Sequence, residues 1–157
     1  MKLKNIVLVV ENIENSKSFY TELFGLYVVK DFGENVILTE GLVLQEKGLW
    51  EEFIEKSVIL GGNDAELYFE DNNMDAFLDR LEKSNFDIIY LNKCIERDWG
   101  QRLVRIYDPD KHVIEISETE ECVARRLLQS GMTVEQVVEK TRMPYTHIEI
   151  IAQKDEF

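Results

Sequence analysis

The feature that most constrains this chain is an order of predicted elements that occurs twice. Between residues 3 and 46, the apolar pattern predicts one strand, one helix and three further strands. Between residues 65 and 117 the same order returns. This is an internal duplication of pattern, although residue identity between the halves is weak. Two βαβββ modules side by side predict an α+β fold whose curved sheet forms a cup, a natural ligand site.

The boundaries follow from periodicity and turn residues. In the first half, Asn12 is placed to cap the helix and Gly25 to end it. The predicted strands of the first half are Leu3–Val10, Leu26–Asp31, Val36–Thr39 and Leu42–Glu46, followed by a short helical stretch near Trp50–Ile54. In the second half the predicted elements are strand Ala65–Glu70, helix Asn73–Lys83, and strands Ile88–Leu91, Gln101–Asp108 and His112–Ser117.

After Ser117 the pattern becomes helical only. We therefore divide the chain into a domain at 1–118 and a helical extension at 119–157. Within the extension, G-M-T-V-E-Q-V-V-E-K-T-R-M-P resembles helix-turn-helix pieces of small regulators. The extension carries five Lys or Arg against seven Asp or Glu, without the basic footprint that DNA recognition normally shows. We expect these helices to pack against the main domain or against a partner copy.

Composition narrows the partners. The 18 Lys and Arg against 31 Asp and Glu give a net charge of −13, which repels phosphate backbones and makes nucleic acid an unfavourable partner. No segment approaches the roughly 18 continuous apolar residues of a membrane helix. The two cysteines, Cys94 and Cys122, lie far apart with no CxxC, which argues against a disulfide framework. We expect a cytoplasmic protein with no membrane contact.

Two stretches carry a family resemblance. The first half reads K-N-I-V-L-V-V-E-N-I-E-N-S-K-S-F-Y-T-E-L-F-G. The second half has W-G-Q-R from Trp99 and Y-D-P-D-K-H-V-I-E-I from Tyr107. Both stretches resemble motifs of the vicinal-oxygen-chelate superfamily, which contains glyoxalases, bleomycin-resistance proteins and dioxygenases. The resemblance spans residues 3 to about 118 and implies the cup-forming fold and a homodimer.

The resemblance also implies where a metal would bind. Metal-dependent members hold a divalent ion with His, Glu or Gln side chains on strands of both halves, where it polarises vicinal oxygens of the substrate. Transferred to this chain, the candidate ligands are Glu66 and Glu115. The family's first histidine would fall at Asn5, and the fourth position falls at Leu44 or Gln45. Two carboxylates with amides suit a hard cation better than nickel, zinc or iron.

Histidine content limits the chemistry further. The chain has only His112 and His147, so the two-histidine, one-carboxylate iron site cannot be built. A ring-cleaving dioxygenase is therefore disfavoured. We interpret His112, beside the Asp-Pro-Asp-Lys turn, as a turn or surface residue.

Other polar and aromatic side chains are candidates for lining the cup. Aromatic rings would contact an apolar ligand, and arginine would bind an anionic group. The same residues have ordinary alternatives, since aromatic side chains pack in cores and surface arginines form ion pairs. The candidates are Asn5, Gln45, Trp50, Tyr68, Trp99, Arg105 and Tyr107.

These observations leave the function open between alternatives. The first is a glyoxalase- or bleomycin-resistance-like protein that binds a small molecule in the cup without metal. The second is a lyase or isomerase that uses one divalent cation at Glu66 and Glu115. The missing histidine at Asn5 favours the first. A ligand-sensing regulator that acts through the C-terminal helices is an outside alternative. The sequence assigns no catalytic residue and no certain cofactor.

Overall fold

Eight strands and six helices follow the predicted order in the computed structural model, which describes residues 1–154. The first half contains β1 (Ile6–Val10), α1 (Ile13–Phe24), β2 (Val28–Asp31), β3 (Asn35–Leu38), β4 (Leu42–Glu46) and α2 (Lys47–Ile54). The second half contains β5 (Glu66–Asp71), α3 (Met74–Lys83), β6 (Ile89–Glu96), β7 (Arg102–Tyr107) and β8 (Val113–Glu118). The extension contains α4 (Glu120–Gln129), α5 (Val134–Thr141) and α6 (Tyr145–Lys154).

Each half forms a four-stranded sheet with the same strand order. The first sheet runs β1-β4-β3-β2 and the second runs β5-β8-β7-β6. In the first sheet, β1 is parallel to β4, whereas β3 is antiparallel to both β4 and β2. The predicted α+β class and the βαβββ duplication are therefore confirmed.

Local chemistry explains the limits of α1. The Asn12 side chain accepts a hydrogen bond from the backbone N–H of Asn15, which satisfies a donor at the helix start. Gly25 ends the helix in the left-handed conformation, with φ of 65°, as glycine does without steric cost. The buried face of α1 includes Phe19, Tyr20 and Leu23. Burial of such large side chains is worth about 1.5–3 kcal/mol each.

The predicted helical extension is also confirmed for the described residues. Its three helices share an apolar cluster formed by Val123, Ala124, Leu127, Val137, Met143, Ile148 and Ile151. A capping box starts α5, where Thr133 and Gln136 bond to each other's backbone N–H groups. The last three residues of the predicted extension, 155–157, lie outside the described residues.

One strand is longer than predicted. We expected a strand at Ile88–Leu91, but β6 continues to Glu96. The continuation is a hairpin with β7, in which the Arg97 N–H donates to the Gln101 carbonyl at 2.8 Å. This part of β6 was not predicted, because polar side chains such as Asn92 and Lys93 interrupt the apolar pattern on which strand prediction depends.

Backbone contacts divide the chain into two compact units. The first comprises residues 1–66, 80–89 and 107–113, and the second comprises residues 67–79, 90–106 and the chain from Ile114 onward. The C-terminal helices therefore belong to the same unit as most of the second half. The predicted division at 118/119 stays a prediction. Among residues 1–154, no helix is long and apolar enough to cross a membrane.

Candidate functional site

The central strand β8 carries side chains of two kinds on its two faces. Ile114 and Ile116 are fully buried, whereas Glu115 and Ser117 alternate with them on the opposite side. Arg105, on the neighbouring strand β7, lies on the same side because its guanidinium reaches Glu115. We call this side of the second sheet the Glu115 face.

Glu115 is a buried carboxylate that forms an ion pair with an arginine of the same sheet. It is 6% exposed, and its Oε2 is in ion-pair contact with the Arg105 guanidinium. Its Oε1 accepts a hydrogen bond from the Ser117 hydroxyl at 2.9 Å. Within residues 1–154, Oε2 has no well-formed hydrogen bond, so the ion pair is its main compensation. Arg105 also approaches Asn92 Oδ1, at 3.3 Å from Nη1.

Strand β5 adds exposed groups to the same face. Tyr68 and Glu70 alternate with the more buried Leu67 and Phe69, which places them on the Glu115 face. The Tyr68 ring is 51% exposed, and its hydroxyl lies 3.5 Å from Glu70 Oε1. The face thus combines an exposed aromatic ring with a cation that is already paired.

Glu66, the other predicted metal ligand, begins β5 and is exposed. It lies in the first compact unit, whereas Glu115 lies in the second. The two carboxylates also differ in burial, since Glu66 is exposed and Glu115 is buried beside an arginine.

The amide candidates of the first sheet are already engaged or peripheral. Gln45 is 4% exposed, and its Oε1 accepts from Asn35 Nδ2 at 2.9 Å. Its Nε2 donates to the Glu34 carbonyl at 3.1 Å. Leu44, the alternative at this position, is fully buried. Asn5 is half-buried, one residue before β1.

The aromatic candidates are placed in separate surroundings. Trp50 is half-buried on α2. The Tyr107 hydroxyl donates to Asn63 Oδ1 at 2.7 Å. Trp99 is 48% exposed, and its indole Nε1 donates to Gln101 Oε1 at 3.1 Å. It lines a surface groove of about 560 Å³ with Asp98 and residues 139–142 of the extension.

The side chains present do not fit a divalent ion. Within the described part of the chain, no group of three or more His, Cys, Asp or Glu side chains is arranged to hold one. The buried carboxylate that the resemblance implies, Glu115, already faces a guanidinium, which repels a second cation. Glu66 and Glu115 stay predicted ligands until metal binding is measured, and no reaction step is derived through a metal.

The Asp-Pro-Asp-Lys-His turn has a structural role that the sequence did not reveal. Asp108 Oδ2 accepts from the Tyr20 hydroxyl and contacts His112 Nδ1, both at 2.8 Å. Asp110 accepts from the Glu11 N–H at 2.9 Å and from the Ser16 hydroxyl at 3.1 Å. The two stretches that carry the family resemblance are thus joined, through α1, by buried hydrogen bonds.

This turn perturbs three pKa values. Burial, together with the nearby Asp108 carboxylate, raises the pKa of Tyr20 well above 10. Burial also raises the pKa of Asp110, against the hydrogen bonds from Glu11 and Ser16. Burial disfavours the His112 cation, but the hydrogen bond and charge of Asp108 outweigh it and raise the pKa of His112 above 6.5. Lys111, within this turn, takes the left-handed conformation, with φ of 67°.

A second buried glutamate, Glu118, is surrounded by arginines. Its Oε1 accepts from Arg102 Nε at 2.8 Å and from Arg126 Nε at 3.1 Å. Its Oε2 accepts from the Arg102 N–H at 3.0 Å and from Arg126 Nη2 at 2.8 Å. Burial alone would raise the pKa of Glu118, but the hydrogen bonds from both arginines outweigh it and lower that pKa.

The Glu118 cluster, which we define as Glu118, Arg102 and Arg126, connects the extension to the second sheet. Arg126 Nη2 also donates to the Gly100 carbonyl, and Arg126 Nη1 pairs with Glu96 at 3.2 Å. The W-G-Q-R stretch therefore contacts α4. This role was not predicted from the sequence. A signal was available, because β8 ends in Glu118 and the helix that follows it, α4, carries Arg126 within two turns of its start.

Comparisons with known proteins agree with this fold. A glyoxalase-like domain model matches residues 3–121. A protein of unknown function from Agrobacterium tumefaciens str. C58 has a TM-score of 0.67 at 32% identity, over 76% of this chain and 94% of that one. A glyoxalase-related enzyme from Fulvimarina pelagi has a TM-score of 0.65 at 21% identity, over 75% and 88%.

A lactoylglutathione lyase from Agrobacterium tumefaciens has a TM-score of 0.59 at 19% identity, over 76% of this chain and 94% of that one. At such identity the likeness concerns the fold alone. Among curated proteins, none matches the chain significantly.

Proposed function

Since the chain belongs to the glyoxalase-like domain family of the vicinal-oxygen-chelate superfamily, we propose that it binds a small oxygenated organic molecule on the Glu115 face. The observation that carries this proposal is the exposed Tyr68 ring on the same face as the Arg105–Glu115 pair. A cytoplasmic location and a homodimer belong to the proposal as well. Analytical ultracentrifugation would test the dimer.

The chemistry of the face suits such a ligand. An aromatic side chain supplies apolar contact area, whereas a few fixed polar groups orient the ligand. Arg105 is held by Glu115, and 22% of its side chain faces solvent, so its fork is oriented before a ligand arrives. Such preorganisation lowers the entropy that binding costs.

Isothermal titration calorimetry with three probes tests the proposal: catechol, S-lactoylglutathione and bleomycin. These probes represent ligand classes of the superfamily. At least one should bind the wild type, and Tyr68→Ala should weaken that binding about tenfold, the loss of about 1.4 kcal/mol of contact energy. Tyr27→Ala is the matched control, because Tyr27 is 75% exposed and does not belong to the second sheet.

The outcomes separate clearly. Tyr27→Ala should bind the probe as the wild type does, since it leaves the face intact. Absence of binding for all three probes, or equal affinity of Tyr68→Ala and Tyr27→Ala, would contradict the proposal.

The divalent-metal-dependent lyase or isomerase is the second candidate. One observation favours it, namely that Glu115 Oε2 is buried without a well-formed hydrogen bond among the described residues. It would require Arg105 to move away from Glu115. The outside alternative, a ligand-sensing regulator, has the shared core of the C-terminal helices in its favour and their acidic balance against it.

A further inference from the structure

We infer that Arg105 is a built-in counter-cation: its guanidinium takes, at Glu115, the place that a divalent ion takes in metal-dependent members of the superfamily. The inference goes beyond the proposed function, because it concerns what neutralises Glu115. Its test requires no organic ligand, so the two can fail separately.

The contacts of Glu115 support this assignment. Both of its oxygens point to groups of the second unit, Oε2 to the Arg105 guanidinium and Oε1 to the Ser117 hydroxyl. The arginine comes from β7, which lies next to β8 in the sheet, so the pair is a cross-strand contact. Ser117 is fully buried, so its hydrogen bond to Glu115 is shielded from solvent.

Burial makes a counter-cation necessary. A carboxylate that is 6% exposed carries a large desolvation penalty unless a positive charge or hydrogen bonds compensate it. Here one hydroxyl donor and one guanidinium meet that need. A divalent ion at the same oxygen would have to displace the arginine or bind beside a like charge.

The other ligand positions that the family resemblance implies offer a metal only weak donors in exchange for displacing Arg105. The Gln45 carbonyl oxygen already accepts from Asn35, and the position of the family's first histidine is Asn5. Amides are poor ligands for nickel, zinc or iron. The chain thus carries a cation of its own at Glu115, and the hard cation that amides would suit better would have to compete with that guanidinium.

The inference predicts a specific energetic coupling. Arg105→Met should leave an uncompensated buried carboxylate and shift the folded-to-unfolded ratio toward unfolding by on the order of a hundredfold. Adding Glu115→Gln to that variant should recover most of the lost stability, because the amide needs no counter-cation. In the wild-type background, Glu115→Gln should instead destabilise the protein.

The experiment is a double-mutant cycle by urea unfolding of the untagged full chain, combined with calorimetric titration of MnCl₂. Arg125→Met is the matched control, since Arg125 pairs with Glu121 one turn earlier on α4, with 36% of its side chain exposed. The control should unfold close to the wild type. We expect coupling between positions 105 and 115, and no saturable Mn²⁺ binding to the wild type.

Two results would overturn the inference. The first is additive effects of Arg105→Met and Glu115→Gln, which would show that the two side chains do not depend on each other. The second is saturable Mn²⁺ binding to the wild type that Glu115→Gln abolishes. If Arg105→Met fails to fold, recovery of folding in the double variant supports the inference, and if neither folds, the wild-type Mn²⁺ titration decides.

Discussion

Glu115 and Glu118 lie three residues apart on β8, and the comparison between them separates two uses of a buried charge. They alternate to opposite faces of the second sheet, and both are at most 6% exposed. Arginine neutralises each of them. In sequence they are equivalent glutamates at the end of an apolar strand.

Their hydrogen bonds differ. Glu118 accepts from two arginine side chains and one backbone N–H, so both of its oxygens are satisfied. Glu115 has one hydroxyl donor and one ion-pair contact. The partners of Glu118 come from β7 and α4, and the cluster fastens the extension to the sheet. Glu115 faces a surface with an exposed tyrosine, which suits recognition.

The largest predicted effect concerns Glu118. Glu118→Ala should destabilise the protein by about 3–5 kcal/mol, because Arg102 and Arg126 would lose their common partner inside the fold. Urea unfolding measures the loss. The matched control, Glu120→Ala, removes an exposed glutamate two residues away and should cost under about 1 kcal/mol. Equal losses of stability in Glu118→Ala and Glu120→Ala would show that the burial and the arginine partners of Glu118 do not stabilise the fold.

Gly100 tests the contact between the extension and the second sheet. Its φ is 89°, and an added Cβ would lie 3.1 Å from Leu127 Cδ1 and 3.0 Å from Lys140 Cε. Gly100→Ala should therefore destabilise by about 1–3 kcal/mol through backbone strain and overpacking. Gly33→Ala is the control, since its φ is 86° but nothing lies within 4 Å. Thermal unfolding should show a larger loss for Gly100→Ala than for the control.

Glu115→Gln should have a smaller effect on stability than Glu118→Ala. We expect about 1–2 kcal/mol, because Glu115 accepts one hydrogen bond and makes one ion pair, whereas Glu118 accepts four hydrogen bonds, and the glutamine amide can still accept from Ser117. Urea unfolding measures the change. A loss as large as that of Glu118→Ala would mean that Glu115 is as structural as Glu118.

A third buried carboxylate, Asp108, extends the comparison to pH and has the smallest predicted effect. The pKa of His112 is raised in the fold by Asp108, against the opposing effect of burial. The stabilisation is therefore fully present below the unfolded pKa of about 6.5 and is lost as the pH rises through the raised folded pKa. The stability difference between the wild type and His112→Asn should thus shrink as the pH rises. A difference that grows toward high pH would contradict this sign.

The sequence was sufficient for the fold because local signals agreed with each other. Asn12 and Gly25 delimit α1, and the chain after β8 is helical, as predicted. The apolar pattern also predicted the strands of both halves in the right order. The polar part of β6 escaped prediction, since its extension beyond Leu91 depends on pairing with β7 rather than on its own pattern.

The site was less predictable because it depends on pairing between distant residues. The sequence gives no sign that Arg105 would reach Glu115 or that Arg126 would reach Glu118. Both contacts require the register of neighbouring strands or the direction of a helix. The candidates Trp50, Trp99 and Tyr107 were identified by residue type, and the structure places them in separate surroundings.

The most direct test of the central claim, that Arg105 neutralises Glu115 without a metal, is elemental analysis of the wild-type protein. The protein should be purified without a histidine tag or chelator, incubated with nickel, zinc, manganese and magnesium, and desalted before measurement. We predict substoichiometric metal that does not differ between the wild type and Glu115→Gln. About one metal ion per chain in the wild type, lost in Glu115→Gln, would contradict the account and favour the metal-dependent lyase or isomerase.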